Sequence, residues 1–198
     1  STPAGKNTIV IVLADHGDGM GSHRMVTKQV SFYEEMTNVP FIIAGPGIHP
    51  RQKPVEDLLT QPTIDLLPTL CELAGIPVPS SKPGISLAPF LKGEKQKRQH
   101  PYAASEWHSE YEVTVSPGRM IRSPRYKYTH YLEGNGEELY DMLKDKGERR
   151  NLAHDPKYSK ILAEHRALLD DYIRRTQDDY RSLKVEADKR WRSHAPGY

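Results

Sequence analysis

The sequence predicts an α/β layered half followed by a small antiparallel sheet that packs with a C-terminal helix. Three observations predict it. Strand-like and helix-like patterns alternate from Thr8 to Gly75, as layered α/β structure requires. Proline and charge dominate from Ile76 to Pro101, which marks a boundary between residues 1–95 and residues 96–198. Beyond it, short runs separated by turn residues lead into one long amphipathic pattern.

In the first half, Thr8 to Leu13 is a continuous β-branched run that reads as a strand buried on both faces. Ser31 and Glu34 have capping-box spacing before a short helix, which must stop near Val39 because Pro40 follows. Phe41 to Ala44 is a second strand, stopped by Gly45-Pro46-Gly47. Leu66, Leu67, Leu70, Leu73 and Ala74 recur at helical spacing, with Asp65 as the expected N-cap, Pro68 in the first turn and Gly75 as the stop.

In the second half the expected strands are Tyr102 to Glu106, Arg119 to Arg122, Lys127 to Tyr131 and Glu138 to Tyr140. Ser123-Pro124 and Gly134-Asn135-Gly136 supply turns. Asp155 and Pro156 open a helix whose inner stripe is Tyr158, Ile161, Leu162, His165, Leu168, Leu169, Tyr172 and Ile173. That helix should cover one face of the meander. The tail from Asp178 to Tyr198 is too polar to place, and there is no internal repeat.

Composition narrows the function. The 28 basic and 26 acidic residues are scattered, leaving a net charge of +2, and the densest basic run, Lys92 to Arg98, reads as a solvated linker. Nucleic-acid binding is therefore not expected. The single cysteine, Cys71, excludes an internal disulfide and a thiolate metal cluster. No apolar run reaches the ~18 residues of a membrane-spanning helix, so no membrane partner is expected.

The richest segment follows the first strand directly: Asp15-His16-Gly17-Asp18-Gly19-Met20-Gly21-Ser22-His23. Ligand sites in layered α/β folds form at the carboxyl ends of strands. A carboxylate and an imidazole there, followed by glycines that let the backbone turn, suit a divalent cation, whereas the plain alternative is a turn whose Asp15 bonds local amides. Lys28, a short loop further on, could hold a sulfate or phosphate oxygen, although most lysines are solvated surface residues. His23 is a loop histidine with the same two readings. Glu106 and His108 follow a strand and could face a substrate, but their spacing is not specific.

These residues resemble a family. Asp15-His16-Gly17, Gly21-Ser22-His23, Lys28, Tyr33-Glu34-Glu35, Val39-Pro40 and Gly45-Pro46-Gly47 look like the second half of a sulfatase catalytic domain in the alkaline phosphatase superfamily. The likeness continues through Asp65-Leu66-Leu67-Pro68-Thr69-Leu70, Leu73-Ala74-Gly75-Ile76-Pro77 and Arg125-Tyr126-Lys127-Tyr128. It ends with Glu138-Leu139-Tyr140-Asp141, Asp145, Gly147-Glu148 and Asn151-Leu152-Ala153. The resemblance implies the C-terminal part of an alkaline phosphatase-like layered core, with Asp15 and His16 binding a divalent cation, usually Ca2+. It implies sulfate contact by Lys28 and leaves a catalytic role open to Lys28 and His23, while substrate contact by His108 rests only on its place after a strand. Its substrate would be a small sulfate ester or a sulfated glycan, and export of the parent protein would be compatible with it.

A sulfatase also needs a formylglycine nucleophile, made in a Cys/Ser-x-Pro/Ala-x-Arg motif, and two further metal aspartates. None stands in these 198 residues, and Cys71 is followed two residues on by Leu73 rather than proline. The resemblance therefore places those groups upstream, in a larger hydrolase, and implies that this chain alone is not a competent catalyst. Two further readings stay open: a phosphonate or phosphodiester hydrolase of the same superfamily, and a non-catalytic glycan-binding or assembly module. If the first strand normally has neighbours on both sides, its exposed edge should also drive self-association.

Overall fold

The computed structural model describes residues 2–25, 31–56, 58–80, 83–96, 99–108, 117–132 and 136–183. It forms two compact units: Ser1–Asp18 with Glu35–Ala103, and Gly19–Glu34 with Ala104–Tyr198. The α/β layering and the antiparallel sheet with its helix are both present. No helix among the described residues is long and apolar enough to cross a membrane.

In the first unit, β1 (Val10–Leu13) pairs antiparallel with β2 (Phe41–Ala44), with Val12 opposite Ile42 and Val10 opposite Ala44. Residues opposite one another in such a pair share a face. That face is open: Val10 is 56% exposed, Val12 49% and Ile42 57%. The expectation that the first strand is buried on both faces is thus corrected. An apolar run reports that a strand suits a buried position, not which element covers it, and among the described residues β1 pairs with β2 alone.

Helix α1 (Glu34–Thr37) begins at the edge of the second unit. Its Ser31 hydroxyl lies 3.3 Å from Met25 Sδ and its Glu34 carboxylate meets Lys127, so both capping-box residues have partners elsewhere. Helix α2 (Pro62–Ala74) starts earlier than expected, with Pro62 in the N-terminal position that its missing N–H favours. Asp65 is therefore not the N-cap. It is wholly buried in the first turn, accepting from the N–H groups of Gln61 and Ile85 at 2.8 and 2.7 Å, and meeting His100 Nε2 at 2.7 Å.

Pro68 consequently falls inside the helix rather than in its first turn, and cannot donate to the Ile64 carbonyl. The backbone of Gly84, at φ +111°, passes that carbonyl so closely that a Cβ would stand 2.1 Å from its oxygen. Gly75, in the left-handed conformation, ends α2 as expected. Cys71 is a buried free thiol. The proline-rich stretch after Ile76 contains an unforeseen helix, α3 (Ala88–Leu91), docked through the Leu87 N–H on Thr69 Oγ1 at 3.0 Å.

The sheet of the second unit has the order β3 (Ala103–Trp107), β4 (Gly118–Arg122), β5 (Tyr126–Tyr131), β6 (Glu137–Asp141), with β4–β5 and β5–β6 antiparallel. Ser123 closes the β4–β5 turn, its N–H donating to the Tyr126 carbonyl at 2.9 Å. Gly134 and Asn135, assigned to the next turn, lie outside the described residues. Asp155 caps a 3-10 turn at Pro156–Tyr158, which leads into α4 (Ser159–Thr176). The expected stripe faces inward, with Leu162, His165 and Leu169 buried, and packs on β4 and β5. Each fully buried leucine contributes about 1.5–3 kcal/mol.

The start of the supposedly unplaceable tail is tightly packed. Tyr180 is wholly buried, and its hydroxyl donates to the His130 carbonyl at 2.8 Å. A polar sequence missed this because Tyr180 is anchored by paired polar groups rather than by an apolar run.

Candidate functional site

At the carboxyl end of β1 the chain turns through Asp15 and His16 against α1. The turn is held by Gly17, whose N–H donates to the Met36 carbonyl at 2.9 Å. A Cβ at Gly17 would stand 1.7 Å from the Glu35 carbonyl oxygen, so only glycine allows this approach. The turn leaves both candidate side chains exposed, Asp15 at 89% and His16 at 44%.

Their local bonds orient them. Asp15 Oδ1 accepts from the His16 N–H at 3.0 Å, and His16 Nδ1 lies 2.7 Å from the Gly17 carbonyl oxygen. The neutral tautomer with its proton on Nδ1 satisfies that contact and leaves the Nε2 lone pair for a ligand, the arrangement that metal-bound histidines use. Nε2 stands 3.8 Å from Asp15 Oδ2. At metal–ligand distances of about 2.0–2.6 Å two donors so spaced can meet on one cation. The donor pair fits part of a divalent-cation shell. No group of three or more potential ligands occurs among the described residues, and a hard cation wants about six or more oxygens.

His23 belongs to the second unit. It sits in a 3-10 turn, Ser22–Arg24, within a loop where Met20, His23 and Arg24 all have positive φ, at +45°, +47° and +61°. Three non-glycine residues in the left-handed region cost of order 1–3 kcal/mol each. The loop is closed by the Gly21 N–H on the Met25 carbonyl at 2.7 Å and the Met25 N–H on the Ser22 carbonyl at 2.8 Å. Lys28 lies outside the described residues.

The His23 ring stacks on Tyr33, with centroids 3.7 Å apart and planes 2° from parallel. His108 is exposed just beyond β3. Glu106 is occupied structurally, accepting from the Tyr172 hydroxyl at 2.6 Å and lying 4.0 Å from Arg119 Nε.

The structure adds a buried ionic cluster that sequence reasoning missed. Lys127, 1% exposed, places Nζ 2.7 Å from Glu34 Oε1 and 2.9 Å from Glu148 Oε1, and donates to the Phe32 carbonyl at 2.7 Å. Burial raises the Glu148 carboxyl above its usual range despite the lysine. Burial, with repulsion from Glu148, pushes Glu138 up to about 7. The motifs holding Lys127 and Glu148 are visible in the sequence, but a strand lysine ordinarily means a solvated edge. Only the contacts across the fold reveal the cluster.

Residues 21–175 match the family described as N-sulphoglucosamine sulphohydrolase, C-terminal. The chain is 77% identical over 198 residues to the Delta 4,5-hexuronate-2-O-sulfatase of Bacteroides thetaiotaomicron, spanning 100% of this chain and 41% of that protein. A solved structure of a 2-O GAG sulfatase superposes with a TM-score of 0.95 at 77% identity, covering 100% of this chain and 42% of the other. The phosphonate monoester hydrolase of Silicibacter pomeroyi superposes with a TM-score of 0.74 at 28% identity, over 90% of this chain and 37% of its own.

Proposed function

Because this chain belongs to the sulfatase family, of which it spans the C-terminal region, we propose that it contributes cation- and sulfate-binding residues to a sulfuric ester hydrolase acting on a sulfated uronic-acid glycan. The observation that carries this reading is the pair at the end of β1, with His16 Nε2 turned toward Asp15 Oδ2 at 3.8 Å. Asp15 and His16 would hold a divalent cation, Ca2+ by family resemblance, and that cation would supply positive charge to the sulfate oxygens. Lys28 would add a second cationic contact to the sulfate. His23 would hold or move a proton at the ester oxygen, and His108 would contact the sugar. The nucleophile and remaining cation ligands would come from residues outside this chain, so that the chain alone is inactive. The relatives' greater length and the open apolar face of the β1–β2 ribbon both support a larger catalytic body.

A second reading, a phosphonate monoester hydrolase, is favoured by one observation: the likeness to the Silicibacter pomeroyi enzyme extends over 90% of this chain. The test is sulfate release from a Δ4,5-hexuronate 2-O-sulfate disaccharide, against hydrolysis of a phosphonate monoester, by the protein that carries this sequence together with its upstream half. Faster sulfate release is expected, and Lys28→Ala should lower it roughly a hundredfold. Faster phosphonate hydrolysis would overturn the first reading in favour of the second.

A further inference from the structure

The segment Phe32–Glu34 is gripped at both ends, by three contacts. Lys127 Nζ donates to the Phe32 carbonyl at 2.7 Å, and the Glu34 N–H donates to Glu148 Oε2 at 2.6 Å. Lys127 Nζ also stands 2.7 Å from the Glu34 carboxylate. Between the two grips lies Tyr33, whose side chain hydrogen-bonds to Glu138 and Tyr140 and whose ring lies flat against His23.

We propose that Lys127 and Glu148 are positioning residues for His23: they fix the Phe32–Glu34 backbone so that Tyr33 presents the ring face on which the histidine rests. The functional consequence rests on the reading of His23 as a proton-handling group of the sulfatase site. Stability alone is a poor account of the cluster. Taking an ammonium and its carboxylates out of water costs several kcal/mol per ion, and well-packed apolar residues commonly replace such groups with no loss of stability. What apolar residues cannot do is hold a carbonyl oxygen and an N–H group two residues apart in fixed directions.

The loop has need of such a hold. Met20, His23 and Arg24 are all in the left-handed region, which persists only where surroundings over-determine the backbone. Glu148 itself has φ +48°, so the clamp is also built at a backbone position that L-residues rarely adopt. Histidine and tyrosine each have only two side-chain torsions, so fixing the Tyr33 backbone goes far toward fixing the surface offered to His23.

The test uses the intact protein that carries this sequence, labelled with 13C at histidine rings, and reads the ring-current shift that Tyr33 imposes on His23. Tyr33→Leu defines the unstacked value. Lys127→Met combined with Glu148→Gln removes both charges together, and should move the His23 signals to that unstacked value. It should also lower kcat by roughly ten- to a hundredfold while KM stays within about twofold, because misplacing a group that acts in the reaction costs that much. Should the double variant fail to fold, Glu148→Gln alone retains an acceptor for the Glu34 N–H and carries the same readout at smaller amplitude. A folded variant whose His23 signals remain at the wild-type position overturns the clamp. Full turnover from His23→Ala would separately overturn the catalytic reading of His23, while the ring-current result still decides what holds it.

Discussion

Arg119 grips Asp178 with two prongs, Nε to Oδ2 at 2.6 Å and Nη2 to Oδ1 at 2.9 Å, and so fastens the segment after α4 to the sheet. The arginine side chain is 4% exposed and the aspartate 9%. Asp178→Ala would strip a buried guanidinium of its two-pronged carboxylate and leave Glu106, 4.0 Å from Nε, as a weaker partner; breaking such a buried pair typically costs roughly 3–5 kcal/mol. A fall of that size in unfolding free energy, read from urea titration, is expected. A loss within the error of the titration would mean that Arg119 is already satisfied by its other contacts, the carbonyl oxygens of Trp107 and Gly118 at 2.8 Å each.

Neighbouring carboxylates on β6 should shape the pH dependence of stability in opposite senses. Hydrogen bonds from Arg166 hold Glu137 down to about 2, so its contribution is complete above the ordinary glutamate range near 4.5 and is lost as pH falls through about 2. Burial pushes Glu138 up to about 7, so the folded chain keeps that proton longer than the unfolded one. Stability from this group therefore falls as pH rises from about 4.5 to about 7. Glu138→Gln should flatten the neutral limb and leave the acid limb in place, as followed by chemical denaturation across that range. An unchanged neutral slope would show that Glu138 is solvated in solution.

Gly17→Ala tests the strand-end turn. Its Cβ would meet the Glu35 carbonyl oxygen at 1.7 Å, and neither backbone can yield cheaply. A loss of about 1–3 kcal/mol is expected from such overpacking. The proposed cation-binding role of Asp15 and His16 adds a second outcome: calcium titration of the full-length protein should show weaker binding as well, because both residues ride on the displaced turn. Wild-type affinity with reduced stability would separate the cation site from this glycine.

The open face of the β1–β2 ribbon predicts association of the isolated chain. Val10, Val12 and Ile42 form an apolar patch beside an edge that no strand covers among the described residues, a combination that invites pairing with a second copy. Sedimentation should give a mass above that of the monomer for residues 1–198. Val12→Lys with Ile42→Glu, which places opposite charges at directly paired positions, should restore the monomer. A monomeric wild-type chain would show that this face tolerates water.

The sequence displays those parts of the fold whose cause is local. Phe41–Ala44 matched residue for residue, and Gly75 ended its helix, because an apolar run before Gly-Pro-Gly and a left-handed stop are written within a few residues. The α4 stripe was legible for the same reason, since helical period reports the buried face directly. Asp65 was misassigned because a carboxylate at a helix start has two uses, and its distant partners Ile85 and His100 decide between them. Of the candidate site, the Asp15-His16 turn was legible as a motif, while the orientation of His16 Nε2 was not. Lys127 stands in a legible motif, but its burial is not legible because it depends on Glu34 and Glu148, which only the fold brings to it.

That distance has a kinetic meaning. The Lys127 bond to Phe32 joins residues 95 apart, and the Glu148 bond to Glu34 joins residues 114 apart. Neither can form until a long stretch of chain has closed, and closure entropy must be overcome before such contacts begin to reward it. The meander and α4, built from near neighbours in sequence, can assemble first and wait. The segment Phe32–Glu34 is then the last to arrive, docking onto a platform already made. Refolding of this protein should consequently show the histidine loop gaining its structure in the slowest phase, after most of the sheet has already become protected from exchange.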